Sequence, residues 1–172
     1  MTKLQKAWLE AVPWETVLTV NQALCQAQQT VCRPKDKTYE SARQLWEKSS
    51  ARTMSLPEVL EICRRCQDLG PFIFSNGNTF AAIGKTLVED WVKTLPPVEA
   101  QIVRTTVGHY IAGLIGKKEL LEVLRHFEPK WNIAEAGKSG RQDQPANVVM
   151  GRLTPIGKND TDNAPPPRPT NS

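Results

Sequence analysis

The chain has 172 residues and a formal net charge of +4, because 22 lysines and arginines outnumber 18 aspartates and glutamates. This length suits one domain with a tail, and the even spread of charge argues against a basic arm built to grip phosphates. No apolar run reaches the length needed to span a bilayer, and the first residues lack the apolar stretch of a secretory signal. We therefore expect a cytoplasmic protein with reduced thiols, no cofactor and no contact with a membrane.

The first fifty residues predict two or three short helices. Apolar spacing gives residues 3–12 an amphipathic pattern, which Pro13 interrupts. A helical pattern returns from residue 14 to 32 and again from about residue 38 to 48. Because each segment alone has little apolar surface, we expect residues 1–50 to pack on the helices that follow.

Two tryptophans flank the proline that divides the first two segments. Trp8 and Trp14 stand on either side of Pro13. Large aromatic side chains commonly anchor protein interfaces. The sequence therefore predicts a partner-facing edge at Trp8 and Trp14.

The most regular pattern lies between residues 55 and 127, which we interpret as the core of a bundle. Ser55 and Glu58 have the spacing of a capping box, and Gly70 can end the helix that they begin. A polar turn follows, and Asn78 or Thr79 can cap a second helix. Helices are expected to continue to Phe127.

The later helices carry two further signals. Gly84 lies on the apolar face of its helix, which predicts a close crossing with another helix. The helix after the Pro96-Pro97 pair has apolar residues at helical spacing, predicted to face inward: Val98, Ile102, Val107, Tyr110, Ile111 and Leu114.

The composition changes after Trp131. Residues 132–172 are rich in Gly, Pro, Asn, Asp, Ser and Thr, and such a segment cannot bury enough apolar surface to offset its ordering entropy. The sequence therefore predicts an all-α protein. Residues 1–131 form a compact multi-helix bundle, and residues 132–172 form a disordered Pro/Gly-rich C-terminal tail.

Four cysteines are numerous enough for one zinc site. Cys63 and Cys66 form a CxxC motif, but they fall on the apolar face in the middle of a helix, where packing in the core is the favoured interpretation. Cys25 and Cys32 are too far apart in sequence for a tight metal-binding pair. A metal site and a redox pair stay open as weaker alternatives, and no metal ligand is predicted.

The turn between Ser75 and Thr79 is the first place where we would look for a binding site. It leads into a helix N-terminus, where free N–H groups attract anions. Asn76, Asn78 and Thr79, with phenylalanines nearby, can hold a nucleotide base or a peptide. The competing interpretation is a capping turn over buried aromatic rings.

No catalytic constellation emerges. The Gly84-Lys85-Thr86 triplet lacks the earlier glycine of a phosphate-binding loop, since that position is Thr79. His109 and His126 are the only histidines, and neither has a partner at a catalytic spacing. The sequence therefore predicts a protein that is not an enzyme.

Two functions fit these observations. The first is a non-enzymatic helical adaptor that binds a protein partner as a subunit or regulator of a larger assembly. The alternative is a small nucleic-acid-binding subunit of a ribonucleoprotein or DNA-associated complex. It would use a basic face that forms only if the helix beginning at Ser55 and the helix ending at Phe127 are neighbours. The members of this face are Arg64, Arg65, Lys117, Lys118 and Arg125.

Overall fold

The computed structural model describes residues 5–127, and the prediction of an all-α fold is confirmed within them. They form six helices and one ladder of two very short strands, with these bounds in chain order: β1 (Gln5–Lys6), α1 (Trp14–Ala27), α2 (Asp36–Ser50), β2 (Met54–Ser55), α3 (Leu56–Leu69), α4 (Asn76–Val92), α5 (Pro97–Ile111) and α6 (117–127). The predicted boundary at residue 131 and the tail predicted for residues 132–172 lie outside the described residues. None of the described helices is both long and apolar enough to cross a membrane.

The helix predicted for residues 3–12 is wrong in its described part. Strand β1 instead pairs antiparallel with β2, and turns occupy residues 8–11. The indole N–H of Trp8 donates to the carbonyl of Met54 at 2.7 Å, and the Lys6 ammonium lies 4.0 Å from the centre of the Trp8 ring. These tertiary contacts outweigh the weak helical tendency of so short a segment.

Helix α1 ends at Ala27, five residues before the predicted end at residue 32. The chain leaves it through a Schellman turn, in which the N–H of Thr30 donates to the carbonyl of Cys25 at 2.9 Å and the N–H of Gln29 donates to that of Gln26 at 3.1 Å. Gln29 occupies the left-handed position of this turn, with φ +54°. Glycine is the usual residue there, so the sequence carried no clear stop signal.

Helix α3 begins and ends as predicted. The N–H of Ser55 donates to the Glu58 carboxylate at 2.7 Å in a capping box. At the other end, Gly70 adopts φ +61°, and its N–H donates to the carbonyls of Cys66 and Gln67. The helix is thus fixed at both ends by residues suited to those positions.

Helices α4 and α5 cross closely at Gly84, as predicted. A Cβ atom at this position would lie 2.2 Å from Cδ1 of Ile111 and 3.2 Å from Cγ1 of Val107. Only glycine leaves room for this approach. Helix α4 begins at Asn76, two residues before the earlier of the two predicted caps, and Ser75 is its N-cap.

Aromatic rings from four segments of the chain meet around Trp14. Four ring centres lie between 5.7 and 6.4 Å from that of Trp14, and they belong to Tyr39, Trp46, Phe72 and Phe80. One continuous apolar cluster joins this group to the buried faces of α3, α4, α5 and α6. The helices before and after residue 50 therefore share one core.

The face predicted for α5 is only partly correct. Val107, Tyr110 and Ile111 are buried, but Val98, Ile102 and Leu114 are 73%, 44% and 71% exposed. The buried face instead includes Ala100 and Val103, because α5 is apolar on more than one side and its spacing does not define a single face.

Candidate functional site

One antiparallel bridge joins the segment between α1 and α2 to the segment between α3 and α4. Pro34 pairs with Phe72 in an antiparallel bridge, and the N–H of Ile73 donates to the carbonyl of Arg33 at 3.0 Å. This register puts Arg33 opposite Ile73, and Val31 precedes Arg33 by two residues in the sequence. The sequence between α1 and α2 is thereby joined to the sequence between α3 and α4.

Three exposed apolar side chains lie on these segments. Val31, Ile73 and Phe74 are 66%, 41% and 45% exposed, and we call them the docking patch. Single exposed apolar side chains are ordinary on protein surfaces, but a group of them marks a candidate interaction site. The sequence analysis noted only that phenylalanines lie near the polar turn and did not identify these three side chains as a group.

The Asn76 side chain holds the backbone beneath the docking patch. Its Oδ1 atom accepts from the N–H of Phe72 at 2.9 Å, and its Nδ2 atom donates to the carbonyl of Phe72 at 2.7 Å. Both polar atoms of the Asn76 side chain are thus hydrogen-bonded to the backbone of Phe72. Phe72 itself is buried among the aromatic rings of the core.

A buried amide connects the patch to the interior of α1. Asn21 is fully buried, and its Nδ2 atom donates to the carbonyl of Phe74 and to Oγ1 of Thr79, both at 3.0 Å. Thr79 in turn donates to the carbonyl of Ser75 at 2.7 Å. A buried polar side chain is tolerated only when its atoms are paired, so this network fixes the turn in one conformation.

Backbone strain is concentrated at the same place. Among residues 5–127, Gln29 and Ser75 are the non-glycine residues with positive φ, at +54° and +63°. The hydroxyl of Ser75 donates to Oε1 of Gln28 at 2.8 Å, which links the two strained turns directly. Strained backbone at a rigid turn is a common property of binding sites.

Two thiols face the remaining atom of the Asn21 amide. The Sγ atoms of Cys25 and Cys32 donate to Oδ1 of Asn21 at 3.7 and 3.4 Å. Cys25 is buried and Cys32 is exposed. Partial desolvation raises the pKa of the exposed Cys32 thiol, and the neighbouring Cys25 thiol raises it further through its charge and a hydrogen bond.

Basic side chains border the docking patch. Arg33, Lys35 and Lys37 are all exposed, and with Asp36 they give residues 33–37 three positive charges and one negative charge. The ion pairs found among residues 5–127 involve other side chains. Across the bridge, Arg33 lies opposite Ile73 and Lys35 lies opposite Pro71, so both cations are on the segment that adjoins the patch.

The predicted partner-binding residues differ in their exposure to solvent. Trp8 and Trp14 are buried, and their indole N–H groups donate to Met54 and Tyr39, so they offer no exposed edge to a partner. Asn76 and Thr79 hold the turn through their own hydrogen bonds. Asn78 is exposed at the start of α4.

The second pair of cysteines lies in the core. Cys63 and Cys66 are fully buried, and the Cys66 thiol donates to the carbonyl of Ala42 at 3.7 Å. Burial raises the pKa of Cys66 to about 12 and raises that of Cys63 as well. Within residues 5–127, no group of three or more His, Cys, Asp or Glu side chains is arranged to hold a metal ion.

The candidate basic face surrounds a carboxylate. Arg64 donates to the carbonyl of Ile115 at 3.1 Å and lies 4.8 Å from the centre of the Tyr110 ring. The Lys117 ammonium lies 3.8 Å from Glu61, whose carboxylate also accepts from the Tyr110 hydroxyl. Burial, with help from Glu61, raises the pKa of Tyr110 to about 12.

The contacts of Arg64 and Lys117 join α3 to the start of α6, so the two helices are neighbours, as the basic face requires. The remaining three members are exposed: Arg65, Lys118 and Arg125.

One signal for the site was present in the sequence. The buried positions of α1 are Trp14, Val17, Asn21 and Cys25, at helical spacing. An asparagine on such a face requires buried partners. The pairing of residues 33–35 with residues 71–73 had no comparable signal, because it joins loops far apart in the chain.

Comparison of the chain with protein-family models, with curated protein sequences and with solved structures gives no match.

Proposed function

We propose that this protein is a non-enzymatic cytoplasmic adaptor that binds a protein partner through the docking patch. The partner contributes a short segment with apolar anchor residues and flanking acidic residues. The observation that carries the proposal is the exposure of Ile73 and Phe74 on a backbone held by the buried network of Asn21 and Thr79.

Rigidity supports the proposal because it lowers the free energy that binding must supply. A loop that is ordered only on binding loses conformational entropy at that moment. The carbonyl of Phe74 and both polar backbone groups of Phe72 are already bonded to asparagine side chains. An apolar side chain on such a backbone meets its partner in a prepared conformation.

Charge supports the acidic character of the partner. Arg33 and Lys35 flank Pro34, whose bridge to Phe72 brings this segment beside Ile73, and neither cation forms an ion pair among the described residues. Cations at the rim of an apolar contact speed association with an acidic partner and exclude basic ones. The apolar residues at the centre then supply most of the affinity.

Selection from a displayed library of random peptides tests this proposal. The immobilised wild-type protein is the bait, and enriched peptides are sequenced without assumptions about their composition. We expect aromatic or aliphatic residues flanked by Asp and Glu. Enrichment of basic peptides, or no enrichment above the bare support, would contradict the proposal.

Matched variants locate the binding site on the protein. The double variant Ile73→Ser/Phe74→Ser should weaken binding of the best peptide by about 30-fold or more, as for loss of a central interface anchor. The control Val98→Ser/Ile102→Ser removes two exposed apolar side chains from α5 and should leave binding unchanged. Thermal unfolding of each variant verifies that it is folded.

Nucleic-acid binding is the second candidate function. The observation that favours it is the contact between α3 and the start of α6, which brings Arg64 and Lys117 together. Its weakness is that these two cations already interact with groups of the protein. Fluorescence anisotropy with labelled single- and double-stranded oligonucleotides tests it, and specific support would be affinity that falls steeply with salt and is lost in Arg65→Glu/Lys118→Glu.

A further inference from the structure

We propose that Cys25 and Cys32 form a dithiol site that reacts with a small-molecule disulfide, and that the resulting internal disulfide weakens partner binding at the docking patch. The regulatory half of this inference rests on the proposed adaptor function. The chemical half concerns the two thiols alone and can be tested without a partner.

The geometry brings the two thiols to one acceptor atom. Both Sγ atoms lie within hydrogen-bonding distance of the same atom, Oδ1 of Asn21, at 3.7 Å from Cys25 and 3.4 Å from Cys32. The Schellman turn after α1 reverses the chain and returns Cys32 toward the helix. Six intervening residues in the sequence therefore do not keep the pair apart.

The two thiols have different access to solvent, which sets their order of reaction. Cys32 is exposed, so it is the thiol that the small-molecule disulfide can reach. Its thiolate form, made scarcer by the raised pKa, attacks one sulfur atom of that disulfide and releases the other half as a thiolate. The product is a mixed disulfide on Cys32. The Cys25 thiolate then attacks the Cys32 sulfur and displaces the second half.

The overall change is balanced. The two cysteines lose two protons and two electrons and form one S–S bond. The small-molecule disulfide gains those electrons and protons and becomes two thiols. A low-molecular-weight disulfide such as oxidised glutathione is therefore the only co-reactant required, and excess reduced thiol reverses the reaction.

The Asn21 amide connects this chemistry to the docking patch. In the reduced protein, its Oδ1 atom accepts from both thiols while its Nδ2 atom donates to the carbonyl of Phe74. A disulfide has no S–H group, so oxidation removes both donors to a fully buried oxygen. Rotation of the amide would give that oxygen new surroundings, but it would turn the N–H groups away from Phe74 and Thr79.

The first experiment tests the dithiol site. Full-length protein is equilibrated in glutathione buffers of increasing oxidation, the remaining thiols are blocked, and linked peptides are identified by mass spectrometry. We expect one disulfide that joins Cys25 to Cys32, while Cys63 and Cys66 stay reduced because they are buried. A stable glutathione adduct on Cys32, or a disulfide that includes Cys63 or Cys66, would overturn the proposal.

The second experiment tests the connection to the patch. Hydrogen exchange of the segment 72–79 is compared between the reduced and oxidised proteins, and we expect faster exchange after oxidation. Cys32→Ser keeps a hydroxyl donor toward Asn21 but cannot form the disulfide, so its exchange should not respond to glutathione. Equal exchange in the reduced and oxidised wild-type proteins would refute the coupling.

The third experiment measures binding of the most enriched acidic–apolar peptide from the library selection. We expect about tenfold weaker binding by the oxidised wild-type protein and no change in Cys32→Ser. Unchanged affinity after complete disulfide formation would overturn the regulation. Reduced protein that binds no peptide through Phe74 would instead refute the adaptor function, and the dithiol result would stand.

Discussion

Helices α1 and α3 each carry a buried apolar face that includes cysteine, but they end in different ways. Helix α3 ends at Gly70, which adopts φ +61° without strain, and both of its cysteines are in the core. Helix α1 ends through Gln29 at φ +54°, and Cys32 lies exposed just beyond it. Both turns end a helix, but only the turn after α3 has glycine at its left-handed position.

The departures from local preference around α1 are grouped. Hydrogen bonds join the strained turns at Gln29 and Ser75 to each other, through Gln28, and join the buried Asn21 amide to Phe74 of the docking patch. Sequences usually agree with their fold at every level, and departures tend to mark functional sites. We infer that α3 serves stability and that the end of α1 serves binding.

The largest expected contrast is between two phenylalanines six positions apart. Phe80→Ala removes a fully buried ring and should lower the free energy of unfolding by about 3–5 kcal/mol. Phe74→Ala removes a ring that is 45% exposed and should lower it by about 1 kcal/mol or less. Chemical denaturation measures both, and equal losses would contradict the division of the molecule into a stabilising and a binding region.

The crossing at Gly84 tests the stabilising region by adding volume. Gly84→Ala places a methyl group 2.2 Å from Cδ1 of Ile111, which is fully buried and cannot move aside freely. We expect a loss of about 1–3 kcal/mol. Ile111→Val removes the clashing atom, so the double variant should be more stable than the sum of the single effects predicts. Simple additivity would mean that the two positions do not touch.

The core thiols should make stability fall at alkaline pH. The pKa of Cys66 is raised to about 12 from an ordinary value of 9.0, so its contribution is complete below pH 9.0 and is lost as pH rises toward 12. Between pH 8 and 10.5, we expect Cys66 to account for a loss of roughly 1–2 kcal/mol. Denaturation with reductant present should show a smaller pH effect in Cys66→Ala, and an identical effect in both proteins would contradict the burial of this thiol.

The smallest expected effect concerns the two helix ends. Gln29→Gly should relieve strain and raise the free energy of unfolding by about 0.5–1 kcal/mol, whereas Gly70→Ala should lower it by about 1 kcal/mol. Changes of opposite sign in the free energy of unfolding would confirm that the end of α1 is strained and the end of α3 is not. A destabilising Gln29→Gly would show that the glutamine is not strained there.

Much of the fold was predictable because helix signals are local. The capping box at Ser55, the stop at Gly70 and the need for glycine at position 84 can be recognised within a few residues of sequence, and the structure has all three. The strand at Gln5–Lys6 was missed because its partner is fifty residues away. The exposed side of α5 was missed because an apolar helix has no unique inward face.

The candidate site was less predictable for the same physical reason. The polar turn at residues 75–79 was identified, but the buried positions of Trp8 and Trp14 depend on contacts with distant carbonyl and hydroxyl groups. The docking patch depends on the pairing of two loops. The thiols of Cys25 and Cys32 share one acceptor, Oδ1 of Asn21, after a turn in which a non-glycine residue, Gln29, adopts the left-handed conformation.

The measurement that tests the central claim most directly is a chemical-shift map of the ¹⁵N-labelled protein on titration with the most enriched library peptide. The account predicts that the perturbed amides lie in residues 28–35 and 71–79, and that the same peptide causes no shifts there in the folded Ile73→Ser/Phe74→Ser variant. Perturbations centred on residues 98–114, or on Arg64, Arg65, Lys117 and Lys118, would contradict it.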